Sequence, residues 1–216
     1  PIDNSKFYFE LSPHASRLTQ NSSSVSRNAY SVSYYLAVGR FLEYKRFDLI
    51  IEACIRADVN LKIVGTGRLN LSLRAQARQS KKIEFLSFQP DDKLRELYAG
   101  AKAFIIANDE DFGMVMAEAQ ACGTPVIAYG KGGSLEIVKE SPEVPLPDFG
   151  KWDFPNIPTG VLFSEQTPES LIQSIKKFET MTFDRAAISK SADRFSEANF
   201  HSAVLKFVSV VMRQGS

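Results

Sequence analysis

Three charged side chains in this 216-residue chain, Arg40, Lys45 and Glu110, stand where short apolar runs give way to glycine-containing loops, and a fourth, Glu118, sits in the middle of an apolar stretch. Arg40 follows Val38-Gly39, and Lys45 lies five residues further on. Gly39 lets the backbone turn sharply. The two cations beside it can grip a diphosphate, Arg through its planar fork and Lys as a point charge. The plainer reading of this segment alone is a solvated basic loop with a salt bridge to Glu43.

The second cluster is Asn108-Asp109-Glu110-Asp111-Phe112-Gly113, followed by Met114-Val115-Met116-Ala117-Glu118-Ala119-Gln120-Ala121-Cys122. The second part is apolar nearly all round, which marks a buried helix. A carboxylate in such a helix needs hydrogen-bond donors. Two ribose hydroxyls would supply them; a buried structural Glu paired with an Arg is the alternative. At a rise of ~1.5 Å per residue, Glu110 and Glu118 sit on the order of 10 Å apart along the helix. That is too far for a shared proton and suits two contacts on a long ligand. The amides of Phe112, Gly113 and Met114 open the helix, where a phosphate is favoured. Gly65-Thr66-Gly67, before another helix, permits close approach of a ligand or simply makes a tight turn. Gly130-Lys131-Gly132-Gly133 reads as a flexible loop that could close over a ligand.

These residues need a scaffold that brings distant loops together. From Tyr34 onward, apolar runs alternate with amphipathic stretches, the pattern of βα units around a parallel sheet. The runs predict six strands at 35–38, 61–64, 83–86, 103–107, 125–129 and 161–163. Helices are expected at 47–57, 69–78, 91–99, 112–122, 171–178, 184–195 and 197–212. Thr167 is a natural N-cap with Pro168 in the first turn. The fold class is therefore α/β, a Rossmann-like three-layer α/β/α domain over residues 34–216. In such sheets, ligands bind at the carboxyl ends of the strands.

Residues 1–33 lack a core-forming period and are expected to be a partly disordered linker. Its polar stretch is Ser22-Ser23-Ser24-Val25-Ser26-Arg27-Asn28. Five prolines between Ser141 and Pro158 predict a long irregular loop. With 26 Lys+Arg against 25 Asp+Glu, the chain has no basic excess to support nucleic-acid binding. No apolar run reaches the ~18 residues of a membrane span. Cys54 and Cys122 lie in predicted helices and read as buried reduced thiols in a cytoplasmic protein. They lack Cys-x-x-Cys spacing, and no zinc site is expected.

In order, these segments resemble the C-terminal, donor-binding domain of family-4 glycosyltransferases of the GT-B fold. The resemblance runs from about Tyr35 to about Phe207. It rests on Val38-Gly39-Arg40-Phe41 with Lys45, on Val64-Gly65-Thr66-Gly67, and on Glu110 through Glu118 with its Ala119-Gln120-Ala121-Cys122-Gly123-Thr124-Pro125 continuation. Gly132-Gly133-Ser134-Leu135-Glu136 completes it. The resemblance implies that Arg40 and Lys45 bind the donor diphosphate and stabilise the leaving nucleotide. Glu110 would contact the sugar and Glu118 the ribose hydroxyls. The amides of Gly113 and Met114 would face sugar and phosphate, with Gly39, Gly65, Gly67, Phe112 and Val115 lining the donor site. It further implies retaining transfer without metal or cofactor.

The finer likeness is to bacterial mannosyltransferases that build surface polysaccharides such as lipopolysaccharide. GDP-mannose is therefore the expected donor, and a glycan or lipid-linked molecule the acceptor. Arg46 departs from the family pattern, standing where glycine is common. An acceptor-binding domain is expected to precede Pro1, and through it peripheral association with the inner face of the cell membrane. On that expectation, the chain alone binds donor weakly and transfers nothing. The alternative is a non-catalytic nucleotide-sugar-binding module supporting a partner enzyme. A dehydrogenase is disfavoured because Gly-x-Gly-x-x-Gly is missing after the first strand.

Overall fold

The computed structural model describes residues 1–9, 34–140 and 157–214. The Ser22–Asn28 stretch and all but the last residues of the proline-rich 141–158 segment lie outside the described residues. In chain order the elements are β1 (Tyr35–Val38), α1 (Phe47–Arg56), β2 (Leu61–Val64), α2 (Asn70–Ala77), β3 (Ile83–Leu86), α3 (Asp91–Ala99) and β4 (Phe104–Ile106). Then come α4 (Met114–Ala121), β5 (Val126–Tyr129), α5 (Ser134–Ile137), β6 (Gly160–Phe163), α6 (Pro168–Glu179), α7 (Arg185–Ala192) and α8 (Glu197–Gln214).

The strands form one parallel six-stranded sheet in the order β3-β2-β1-β4-β5-β6. Strand side chains alternate between two cores, as the two-residue strand period requires. Tyr35, Ala37, Leu61, Ile63, Ile105, Ile127, Val161 and Phe163 join one cluster, which α1, α2 and α6 complete. Leu36, Val64, Phe104, Ile106, Val126 and Ala128 join the other, against α3, α4 and α7. Both faces are therefore covered, which explains why most of the strands read as continuous apolar runs, with Lys62 and Glu84 the charged exceptions in β2 and β3. The architecture is the three-layer Rossmann-like α/β/α fold.

Local chemistry sets the boundaries. Thr167 accepts a hydrogen bond from the Ser170 N–H at 3.3 Å, and Pro168 opens α6, one turn earlier than the apolar pattern indicates. Gly113 caps α4 in a left-handed conformation, φ 65° and ψ 30°, so this helix starts at Met114 rather than Phe112. β6 begins at Gly160, where a Cβ would meet the Val126 carbonyl oxygen at 1.9 Å. Ahead of the sheet, Ile2 and Phe7 are buried although their segment shows no core period. The Ile2 N–H donates to the Phe195 carbonyl at 2.8 Å, and the Phe7 ring meets Tyr98 edge-on.

Candidate functional site

The strand order reverses between β1 and β4, which pair through Leu36 and Phe104. At that switch point the loops leaving the two carboxyl ends diverge to opposite faces of the sheet, opening a crevice. The β1 loop carries Gly39, Arg40 and Lys45; the β4 loop carries Asn108, Asp109, Glu110 and Asp111, and leads into α4.

Topology brings one predicted cation onto one predicted acid. The Lys45 ammonium lies 2.5 Å from Glu110 Oε2, with side chains only 18% and 21% exposed. Lys45 occupies the last position of a 3-10 turn, Glu43–Lys45. Its Nζ also stands 5.2 Å from the centre of the Tyr44 ring. Glu43 does not pair with Lys45 as the solvated-loop alternative supposed; its carboxylate pairs with Arg68. Arg40 is exposed, and its guanidinium forms no hydrogen bond or ion pair with the described residues. Arg46 is turned to its own helix, where Nε lies 3.3 Å from Asp48 Oδ1.

Glu110 is fixed from three sides. Its backbone bridges to Gly132, and the Gly133 N–H donates to its carbonyl at 2.6 Å. The Asn108 side-chain amide donates to Oε2 at 2.9 Å. A Cβ on Gly132 would meet Asp109 Oδ1 at 2.5 Å, and one on Gly133 would meet the Asp111 carbonyl oxygen at 2.7 Å. The glycines after β5 therefore clamp the acidic loop. The flexible flap expected from their composition is a docked turn here, because only glycine allows the two backbones to touch. Lys131 adds an ion pair to Asp109 at 3.4 Å.

Gly65 and Gly67 also serve backbone packing. A Cβ on Gly65 would lie 1.9 Å from the Gly39 carbonyl oxygen, and one on Gly67 would lie 2.6 Å from the Phe41 nitrogen. The Gly65 N–H is already spent on the Leu86 carbonyl at 3.3 Å. These contacts weld the loops after β1 and β2 together.

Helix α4 is not buried all round. Met116, Ala117, Ala119, Gln120 and Ala121 are buried, but Met114 is 49% exposed and Val115 and Glu118 are half-buried. Positions 114, 115 and 118 share one helical face, so the helix leaves that face partly open. The N–H groups of Met114 and Val115 have no acceptor within their own helix, by its geometry. Phe112, just before the cap, is 85% exposed.

Glu118 meets the Tyr98 hydroxyl at 3.4 Å. Burial pushes its carboxyl up to about 7; the Tyr98 hydrogen bond acts the other way, and the charge of Asp91 adds to the rise. No Arg pairs with it as the structural alternative requires, among the described residues. Tyr98 itself is fully buried, between Phe7 and Phe104.

Asn108 and Tyr98 are the site residues that sequence reasoning missed. Each acts on a glutamate from a position that looks like ordinary strand end or helix. Among the described residues, no group of three His, Cys, Asp or Glu side chains is arranged to hold a metal ion. No described helix is long and apolar enough to cross a membrane. Cys54 and Cys122 are both buried and free, with thiols pushed up to about 12 by burial.

Comparison with known proteins follows the same residues. The family described as glycosyl transferases group 1 matches residues 26–199. An uncharacterized glycosyltransferase of Methanocaldococcus jannaschii is 33% identical over 134 residues, covering 58% of this chain and 33% of the relative. The D-inositol 3-phosphate glycosyltransferase of Mycolicibacterium gilvum is 28% identical over 181 residues, covering 78% of this chain and 37% of the relative. The matched part thus spans about a third of each curated relative. Among solved structures, the sucrose-phosphate synthase of Thermosynechococcus elongatus superposes on 99% of this chain and 51% of its own, with TM-score 0.67 and 20% identity. HepE of Anabaena, in complex with UDP and glucose, covers 98% of this chain and 55% of its own, with TM-score 0.65 and 19% identity. These two show a shared fold.

Proposed function

Because this chain belongs to the glycosyl transferases group 1 family, we propose that it is the donor-binding part of a retaining hexosyltransferase, with its donor in the crevice between β1 and β4. The observation that carries the reading is the meeting of Lys45 with Glu110 at 2.5 Å across the switch point. A cation for a diphosphate and a carboxylate for a sugar hydroxyl stand side by side, where a nucleotide sugar changes from one group to the other.

Each residue then takes a share of the donor. Arg40 and Lys45 neutralise the diphosphate as negative charge builds on the leaving nucleotide. This is preorganised electrostatic stabilisation, strongest in a site shielded from water. The free amides of Met114 and Val115 add the positive end of α4. Glu110 orients the sugar. Glu118 accepts from the ribose hydroxyls in place of water.

The finer reading is transfer of mannose from GDP-mannose to a glycan or lipid-linked acceptor. It rests on the likeness of the Tyr44–Ile50 and Glu110–Cys122 segments to mannosyltransferases. The acceptor side of the reaction belongs to an N-terminal domain, which also carries any peripheral membrane contact. We place the enzyme in the cytoplasm, where nucleotide sugars are made.

A panel of GDP- and UDP-sugars, measured by calorimetry and by transfer in the full-length enzyme, tests this reading. GDP-mannose is expected to bind and turn over best. Lys45→Ala is expected to lower kcat at least tenfold, since removing a charge contact made at the transition state costs ~2–4 kcal/mol. Unchanged turnover would remove Lys45 from the mechanism. Donor binding without transfer by the full-length protein would favour a non-catalytic module.

A further inference from the structure

We propose that Asn108 is a positioning residue that locks Glu110 through one carboxylate oxygen, leaving the other for a hydroxyl of the transferred sugar. The proposal rests on the reading of Glu110 as the sugar-side carboxylate.

Asn108 follows β4 and is 1% exposed. Its Nδ2 donates to the Asp109 carbonyl at 2.8 Å and to Glu110 Oε2 at 2.9 Å. Both partners are acceptors, so the orientation of the amide is determined; a flip would set oxygen against oxygen. Lys45 donates to the same Oε2. Oε1 accepts no hydrogen bond from the described residues. Two donors on one oxygen fix the carboxylate plane and its rotamer, and they direct the remaining lone pairs to an incoming donor group.

The far end of the amide argues against a purely structural role. Among the described residues, Asn108 Oδ1 is buried without a donor. An unpaired buried oxygen is destabilising, and a small apolar residue at this position would avoid it. What Asn108 supplies in return is the pair of Nδ2 contacts, and the one beyond its own loop backbone goes to Glu110.

The test uses the full-length enzyme. Asn108→Asp keeps the shape but turns a donor into a carboxylate facing two acceptors. The charged groups around it are Glu110 and Asp109 in its own loop, Lys45 from the β1 loop and Lys131 from the β5 loop. Two carboxylates this close titrate as a pair sharing a proton, and the protonated acid can donate again. At pH 8 we expect kcat to fall at least tenfold, with donor KM changing less than threefold. Relative to wild type at each pH, the lost rate should return as the pH is lowered towards 6. A profile parallel to wild type overturns the proposal.

Asn108→Ala and Glu110→Gln supply a second measurement that does not require the Asp variant to fold. If Asn108 acts through Glu110, its substitution costs little once Glu110 is already Gln. Equal cost in both backgrounds overturns the positioning role while leaving the role of Glu110 intact. If Glu110→Gln by itself leaves transfer unchanged, the underlying reading of Glu110 falls instead.

Discussion

Glu118 shows how a single side chain ties burial to ligand chemistry. Its carboxyl is raised from an ordinary 4.5 to about 7 because burial removes it from water, and the one long hydrogen bond from the Tyr98 hydroxyl of α3 offsets only part of the rise. Between these two values the folded protein holds a proton that the unfolded chain releases. Stability from this group is therefore full below about pH 4.5 and is lost as the pH rises through 7, by about 2 kcal/mol after allowance for its partial exposure. Ribose hydroxyls act in the opposite sense, since donors stabilise the carboxylate. Nucleotide affinity is thus expected to rise with pH between 6 and 8, with proton release on binding. Calorimetry in buffers of different ionisation enthalpy measures that proton directly. Glu118→Gln should remove this part of the release and reduce the pH dependence to the titration of the diphosphate itself. Retention of the wild-type proton release would place the titrating group elsewhere.

At the scale of elements, Arg46 joins the 3-10 turn to α1 with φ 53° and ψ 38°. This left-handed conformation disfavours a side chain by roughly 1–2 kcal/mol, which explains why glycine is common here in the family it resembles. The compensation is an ion pair with Asp48, whose carboxylate is half-exposed and so contributes little. Arg46→Gly is therefore expected to stabilise the fold by about 1 kcal/mol, read as an upward shift of the urea midpoint with an unchanged slope. A lower midpoint would mean that the ion pair outweighs the strain.

The same local view explains what was legible in the sequence. β1, β2 and β3 were readable to the residue, since each is a predominantly apolar run, interrupted only by Lys62 in β2 and Glu84 in β3, with polar or glycine residues close at its ends. β4 and β5 came out shorter than their runs, because buried Ala103, Ala107 and Pro125 are apolar without belonging to the ladder. The helix at Ser134–Ile137 is too short to show a 3.6-residue period. Lys45 and Glu110, singled out from charge type and loop position, are found paired. Asn108 and Tyr98 were not singled out, since their value lies in which oxygen they reach, and composition carries no record of that. The pairing of Glu43 with Arg68 is similar: only folding shows which of several nearby cations a surface acid meets.

For the whole molecule, the question is how donor binding couples to folding. The crevice is assembled from loops of four strands, β1, β2, β4 and β5, so it exists only when the sheet is complete. The unfolded chain has no such site, and a ligand that binds the fold alone must stabilise it by mass action. At a nucleotide concentration one hundred times its Kd, the gain is ~2.7 kcal/mol, which for a domain of this size raises Tm by roughly 5–10 °C. On the proposed reading the charge that holds the diphosphate comes from Arg40, Lys45 and the start of α4, so the shift should be the same with magnesium present or removed by a chelator. Lys45→Ala should reduce it. Because Lys45 is paired to Glu110 before ligand arrives, the ammonium is already held near its working position, and its removal also frees a half-buried carboxylate. The variant should therefore start with a lower Tm and gain less from nucleotide. A shift that vanishes with the chelator and returns with magnesium would assign the diphosphate to a bound ion and overturn the assignment to these cations.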